Sequence, residues 1–146
     1  MCIRDSDEAL LRAKADALGV PAVFFPPVQN VKPLLEAADL LLLPSLCMEG
    51  LPMLLVEAGL AARAVIASRT DGVPEIIAHE ETGLLAEPGD AAALAAAIQK
   101  MASDTLLQAS LAARLHARVL KEFTVSAMTS AVQGVYESLG HSPPVQ

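Results

Sequence analysis

Two carboxylates stand eight residues apart in an otherwise apolar stretch, Leu40 to Glu57, LLLLPSLCMEGLPMLLVE. Glu49 precedes Gly50, Leu51 and Pro52, and Glu57 falls inside the apolar run that follows. Gly50 to Pro52 read as the opening of a helix, with Pro52 suited to the first helical position, where its missing N–H costs nothing. A helix N-terminus presents free backbone N–H groups and a positive dipole end, which suit a phosphate. Helical side chains lean back toward the N-terminus. Glu57 is one to two turns up, at ~1.5 Å rise per residue, so it can approach the same place. The arrangement offers donors for a diphosphate and two carboxylates that accept hydrogen bonds from hydroxyls, and a nucleotide sugar supplies both. The same residues also fit a plainer account. Glu49 is then a solvated loop carboxylate and Glu57 pairs with a basic neighbour, since few helix N-termini hold phosphate. Either way, a charge among Leu55, Val56 and Ala58 is expensive without a partner.

The elements around these residues must place them. Leu40 to Leu43 is a continuous apolar run with no alternation, as in a parallel strand covered on both faces. Pro44 and Ser45 end it. A loop at the carboxyl end of such a strand is where open α/β sheets bind ligands. Met53 to Val56 are apolar on every side, so the helix they open is expected to be packed rather than solvated. Upstream, Asp7 to Leu18 has helical composition with Gly19 as its stop. Ala22 to Phe25 reads as a short strand ended by Pro26 and Pro27. Asn30 can cap a helix whose Val31, Leu34, Leu35 and Ala38 follow the i, i+3, i+4, i+7 pattern.

Downstream, Ala64 to Ala67 is a strand, Gly72 to Pro74 turns into a short helix, and Gly83 to Ala86 is the last strand. Asp90 caps a helix with Leu94, Ala97, Ile98 and Met101 in one stripe. Thr105 to about Glu122 is a longer helix with Leu107, Leu111 and Leu115 spaced four apart. Thr124 caps the last, whose Val125, Met128, Val132, Val135, Tyr136 and Leu139 make a sustained apolar face, with Gly140 at C′. Strands alternating with helices give an α/β class with a parallel sheet of about four strands and a helical carboxyl-terminal end.

PSLCMEGLPMLLVEA resembles the E-x7-E segment of glycosyltransferase family 4, the group 1 glycosyltransferases, which have the two-domain GT-B fold. AVIASRTDGVPEIIAHEETGLLAEPGD is similar to that family's strand, Gly-x-Pro-Glu turn, short helix, Thr-Gly-Leu-Leu strand and Pro-Gly-Asp turn. VFFPPVQNVKPLLEAADLLLLPS is similar to its preceding strand, helix and Ala-Asp-strand run. The match extends from about Val20 to Gly140, and the order of the motifs carries it more than any one of them. The resemblance implies a partial Rossmann-like sheet, part of the carboxyl-terminal, donor-binding half of a GT-B fold. In the order 3-2-1-4-5-6, this chain would supply the third to sixth strands. The first two, and the whole amino-terminal domain, would be missing. They would lie between Ala22–Phe25 and Leu40–Leu43, so the sheet is expected either to pair those two segments or to keep an exposed edge.

The resemblance further implies retaining transfer of a sugar from a nucleotide-diphosphate sugar to an acceptor hydroxyl. Glu49 would then be the catalytic carboxylate contacting hydroxyls of the donor sugar, and Glu57 would hold the ribose. Backbone N–H groups of Gly50 and Leu51, with Pro52 closing the donor-binding segment, would face the phosphates or sugar. Stabilising the leaving diphosphate would be the main catalytic contribution. A basic pair that assists it in the family lies on an earlier loop absent here, so this chain alone is expected to be inactive. Departures include Pro26 where the family usually has Gly, Arg63-Ala64 before a strand usually preceded by Pro, and Asp71 where Gly often faces the donor.

Composition narrows the classes. One domain is expected for 146 residues. Hydrophobic residues make up 53% and aromatics 3%, so the core must be built from Leu, Ala, Val and Ile. A net charge of −7 argues against a nucleic-acid partner, which wants a basic patch. No apolar run approaches the roughly 20 residues of a membrane span, which leaves peripheral membrane contact open. Cys2 and Cys47 form no metal or disulfide pattern, and a reduced cytoplasmic compartment is the default. No Asp-x-Asp or His/Cys cluster suggests a metal, and no cofactor is implied beyond the donor as substrate. His79, His116 and His141 sit in ordinary loop, helix and tail surroundings. Met1 to Ser6 fits nothing after it and reads as a prefix outside the fold, leaving residues 7–140 as the partial domain and 141–146 as a frayed tail.

Overall fold

A computed structural model describes residues 4–47 and 50–140 of the chain. Two compact units are distinguished, Met1–Asn30 and Val31–Gln146. In the first, helix α1 spans Arg4–Leu18 and ends on Gly19, whose φ of +64° is the left-handed conformation glycine tolerates. The helix thus begins three residues inside the stretch set aside as a prefix. Ala22–Phe25 forms no strand. Pro21, Pro26 and Pro27 withdraw N–H groups on both sides, and without ladder bonds β propensity alone does not make a strand. Phe24 instead lies 4.3 Å beneath the Arg12 guanidinium, which also pairs with Glu8 at 2.7 Å.

The second unit carries a parallel three-stranded sheet in the order β1-β2-β3, with β1 Leu40–Leu43, β2 Ala64–Ser68 and β3 Leu84–Ala86. Its helices are α2 Lys32–Ala37, α3 Met53–Leu60, α4 Val73–Ile76, α5 Ala91–Ser103, α6 Thr105–Glu122 and α7 Val125–Ser138. Leu40 faces Ala64 and Ile66 faces Leu84 in the register. The period-two alternation of β2 divides the core. Val65 and Ala67 pack with Leu55, Val56, Ile76, Leu115 and Val119 on one face, while Ala64 and Ile66 pack with Leu84, Met101 and Leu111 on the other. Every residue of β2 is buried. β1 has only β2 as a neighbour, so it is an edge, and Leu42 is 39% exposed. Leu41 and Leu43 pack on one face and Leu40 on the other, but Leu42 is exposed, so the expected cover of Leu40–Leu43 on both faces is incomplete. The α/β class and flanking helices stand; the sheet has three strands rather than about four.

Helix starts follow the sequence in part. Asp90 accepts from the Ala93 N–H at 2.8 Å and Thr124 from the Ala127 N–H at 3.1 Å. Asp104, which the sequence reading passed over, accepts from the Leu107 N–H at 2.8 Å and caps α6. Val31 rather than Asn30 holds the N-cap position of α2, because Pro33 fits inside its first turn. The apolar face of α7 is bare: none of its residues is buried, and Val125 and Leu139 are among its exposed side chains.

At the end of α3 the chain makes a tight stop on an unusual residue. The Ala62 N–H donates to Gly59 and the Arg63 N–H to Ala58, at 3.0 and 2.9 Å. This is the paired bond pattern that needs a left-handed residue at C′. Here that residue is Ala62, with φ +52°. A Cβ in this region costs about 1–2 kcal/mol, part of which a flexible unfolded chain takes back. Ala62→Gly is therefore expected to stabilise the chain by about 0.5–1 kcal/mol, raising Tm by a few degrees in a thermal melt. An unchanged or lower Tm would show the strain to be absent.

A second left-handed residue, Glu80 at φ +62°, sits in the turn before β3. Its carboxylate meets Lys100 Nζ of α5 at 2.6 Å. The Lys100 hydrogen bond first, then its charge and that of His79, hold Glu80 below the ordinary carboxylate range. A lowered carboxyl stabilises the fold above its unfolded pKa, and the contribution is lost as pH falls through the folded one. Lys100→Met should therefore lower Tm near neutrality, and the gap to the parent should close in acid. The pair is exposed, so the effect is small and salt-sensitive.

Candidate functional site

The carboxyl end of β1 leads through Pro44 and Ser45 toward α3. Pro52 is buried and takes the N-cap position at ψ 100°, with Met53 the first helical residue. It thus sits one place earlier than expected: its extended ψ leaves it outside the helix. Proline offers no capping group, so the N-cap residue itself leaves the first N–H groups of α3 without a side-chain acceptor. The Leu55 N–H bonds back to the Pro52 carbonyl at 2.9 Å. Gly50 and Leu51 are exposed, and a Cβ added at Gly50 would meet nothing within 4 Å.

Glu57 lies one turn into α3 and is exposed. The helix buries Leu55, Val56, Ala58 and Gly59, while Met53, Glu57 and Leu60, spaced four and three apart, face out. A helix apolar on every side is thus half solvated, and the charge that seemed to need a buried partner does not. Among the described residues the Glu57 carboxylate has no hydrogen bond or ion pair. Four residues at ~1.5 Å rise set it about 6 Å above the helix start, leaning toward it. Gly50, Leu51, Pro52 and Glu57 therefore share one end of one helix at the carboxyl side of the sheet. Glu49 lies outside the described residues.

Sequence reasoning missed what anchors α3. Gly59 lets α3 approach α6 closely, for an added Cβ would stand 2.6 Å from Val119 Cγ2. His116 Nδ1 donates to the Gly59 carbonyl at 2.8 Å, fixing its tautomer. Arg63, the departure before β2, donates to the Ala38 and Ala61 carbonyls at 3.1 and 3.3 Å, tying the end of α3 to the end of α2. His79 Nδ1 accepts from the Leu85 N–H at 2.9 Å and so satisfies a buried donor of β3. These two histidines have structural work. His141 lies outside the described residues.

The neighbouring loop follows β2. Arg69 pairs with Glu87 at 3.1 Å, and Asp71 is exposed. The Thr70 hydroxyl is buried without a partner among the described residues. Cys47 is a free, exposed thiol. Among the described residues no group of three His, Cys, Asp or Glu is gathered as for a metal ion, and no helix is long and apolar enough to cross a membrane.

A helix start beyond the carboxyl end of a parallel strand, with an acid one turn up, is the place where open α/β sheets hold their ligands. Comparison with known proteins makes this specific. Residues 3–104 match the family described as glycosyl transferases group 1, and the chain belongs to that family. It is 42% identical over 87 residues to the amylovoran biosynthesis glycosyltransferase AmsK of Erwinia amylovora, covering 56% of this chain and 21% of that one. It is 30% identical over 132 residues to the putative colanic acid biosynthesis glycosyltransferase WcaL of Salmonella typhimurium, covering 85% and 32%. HepE of Anabaena in complex with UDP superposes with a TM-score of 0.84 at 25% identity, over 94% of this chain and 38% of that one. The same protein with UDP-glucose gives 0.80 at 27% identity, over 93% and 38%. The chain thus spans about a fifth to two fifths of the length of these relatives.

Proposed function

We propose that this chain is the donor-binding part of a retaining glycosyltransferase of family 4, which moves a sugar from a nucleotide-diphosphate sugar to an acceptor hydroxyl. The observation that carries this is the start of α3 beyond the carboxyl end of β1, where the N-cap Pro52 supplies no side-chain cap, with the Glu57 carboxylate, unpartnered among the described residues, one turn above it. Backbone N–H groups of Gly50 and Leu51 meet the diphosphate. Glu57 accepts from the ribose hydroxyls, and Glu49 serves as the catalytic carboxylate at the donor sugar. That HepE is known with UDP and with UDP-glucose supports the reading. Most of the acceptor site and a basic pair for the leaving group come from the rest of a longer protein, so the chain alone binds without turnover.

Calorimetry on the chain with UDP, UDP-glucose, other nucleotide-diphosphate sugars and UMP tests this. Binding is expected for a diphosphate and at least tenfold weaker for the monophosphate. No heat with any of them at millimolar concentration would leave only a structural α/β unit.

A further inference from the structure

Next to the loop after β1 lies a cleft that the donor-site reading does not use. It opens at the carboxyl ends of all three strands, between Leu46 of that loop and Leu94 of α5, with Glu87 and Asp90 also lining it. Its floor is Ser68 and Ala86, register partners at the ends of β2 and β3. Alternation along β2 sends Ala64 and Ile66 toward the core on the α5 side, and Ser68 is in phase with them. Its side chain therefore points into the cleft. Ser68 is 5% exposed, and among the described residues its hydroxyl has no hydrogen bond. A wholly apolar occupant of the cleft would strip water from this hydroxyl, which closes the otherwise apolar strand AVIA, and leave it unmatched at a cost.

The two acids each keep an oxygen to spare. Glu87 uses Oε1 for Arg69, and Asp90 uses Oδ1 for the Ala93 N–H. The cleft is therefore lined by one hydroxyl-bearing side chain and two carboxylates that each keep an unpartnered oxygen among the described residues, with Pro44, Leu46, Ala86 and Leu94 supplying apolar surface. An anion is repelled by the acids, and a wholly apolar group leaves Ser68 unmatched. A neutral ring with C–H faces and hydroxyl edges satisfies both. The volume, about 170 Å³, is below the ~300 Å³ at which pockets for drug-sized ligands begin. This suits one sugar ring.

We propose that this cleft is a monosaccharide subsite seating one neutral hexopyranose ring of the glycosyl acceptor. Its assignment to the acceptor rests on the glycosyl-transfer reading; its fit to a ring does not. The test is amide chemical-shift mapping of the chain with methyl glycosides of glucose, galactose and mannose, and separately with UDP. At least one glycoside should shift Ser68, Ala86 and Leu94 and saturate in the millimolar range, which is typical for so few atoms. Ser68→Ala should weaken that binding fivefold or more, and Ala91→Phe, which fills the cleft from the first residue of α5, should abolish it. Thermal melts show whether either variant is folded.

Shifts that are absent at these residues, or unchanged in both folded variants, overturn the subsite. UDP should shift residues 50–57 instead. Glycoside binding without UDP binding would sink the donor site and leave the subsite standing. UDP binding without glycoside binding would do the reverse.

Discussion

Glu57→Ala is expected to weaken binding of a nucleotide-diphosphate sugar by about 10- to 100-fold while leaving the melting temperature unchanged. Each half of that expectation has its own physical basis. The side chain is exposed and has no partner among the described residues, so its removal breaks nothing in the fold, and alanine is a good helix former. A carboxylate accepting from sugar hydroxyls makes charge-assisted bonds worth about 1.5–3 kcal/mol each. Losing one such bond is a factor of about ten or more in Kd. Glu57→Gln keeps shape and one acceptor but loses the charge, and should fall between. Calorimetry on the three proteins decides it. A variant that binds UDP-glucose as the parent does would remove Glu57 from the site, and one that melts early would make it structural instead.

The position of this helix was more legible in the sequence than its surroundings. The apolar run Leu40–Leu43, the Gly-Leu-Pro opening and the strand at Ala64 were legible because each rests on local pattern. The side of α3 that faces water was legible in principle, since Met53, Glu57 and Leu60 fall on one stripe. The uniform hydrophobicity of the neighbours obscured it. What sequence could not supply was adjacency. Nothing in Leu40–Leu43 says that its second neighbour is absent, and nothing in Ala22–Phe25 says that it finds no ladder at all. Both facts depend on pairing between distant segments. Ser68 left a readable mark, a hydroxyl closing an apolar strand, but its meaning needed Leu94 and Asp90 brought beside it by the fold. Glu49 stays a reading of the sequence alone.

The close approaches were the least legible part, and they set the largest stability effect. Gly83→Ala is expected to cost about 3 kcal/mol, a fall in Tm of about 10 °C for a chain of this size. The added Cβ would stand 2.8 Å from Ile77 Cγ2 and 2.9 Å from the Val65 carbonyl oxygen. Ile77 can rotate, but Val65 is a fully buried residue in the middle of β2, the strand paired on both sides. Its carbonyl cannot retreat without straining two ladders. Gly59→Ala makes a shorter contact, 2.6 Å, yet only with Val119 and Leu115 side chains. It also gains about 1 kcal/mol of helix propensity, so it should cost about 1–2 kcal/mol. Urea titration of both variants tests the ordering. If Gly59→Ala proves the more damaging, side-chain packing between α3 and α6 is stiffer than the sheet backbone, and the cost follows contact distance rather than the mobility of the atom contacted.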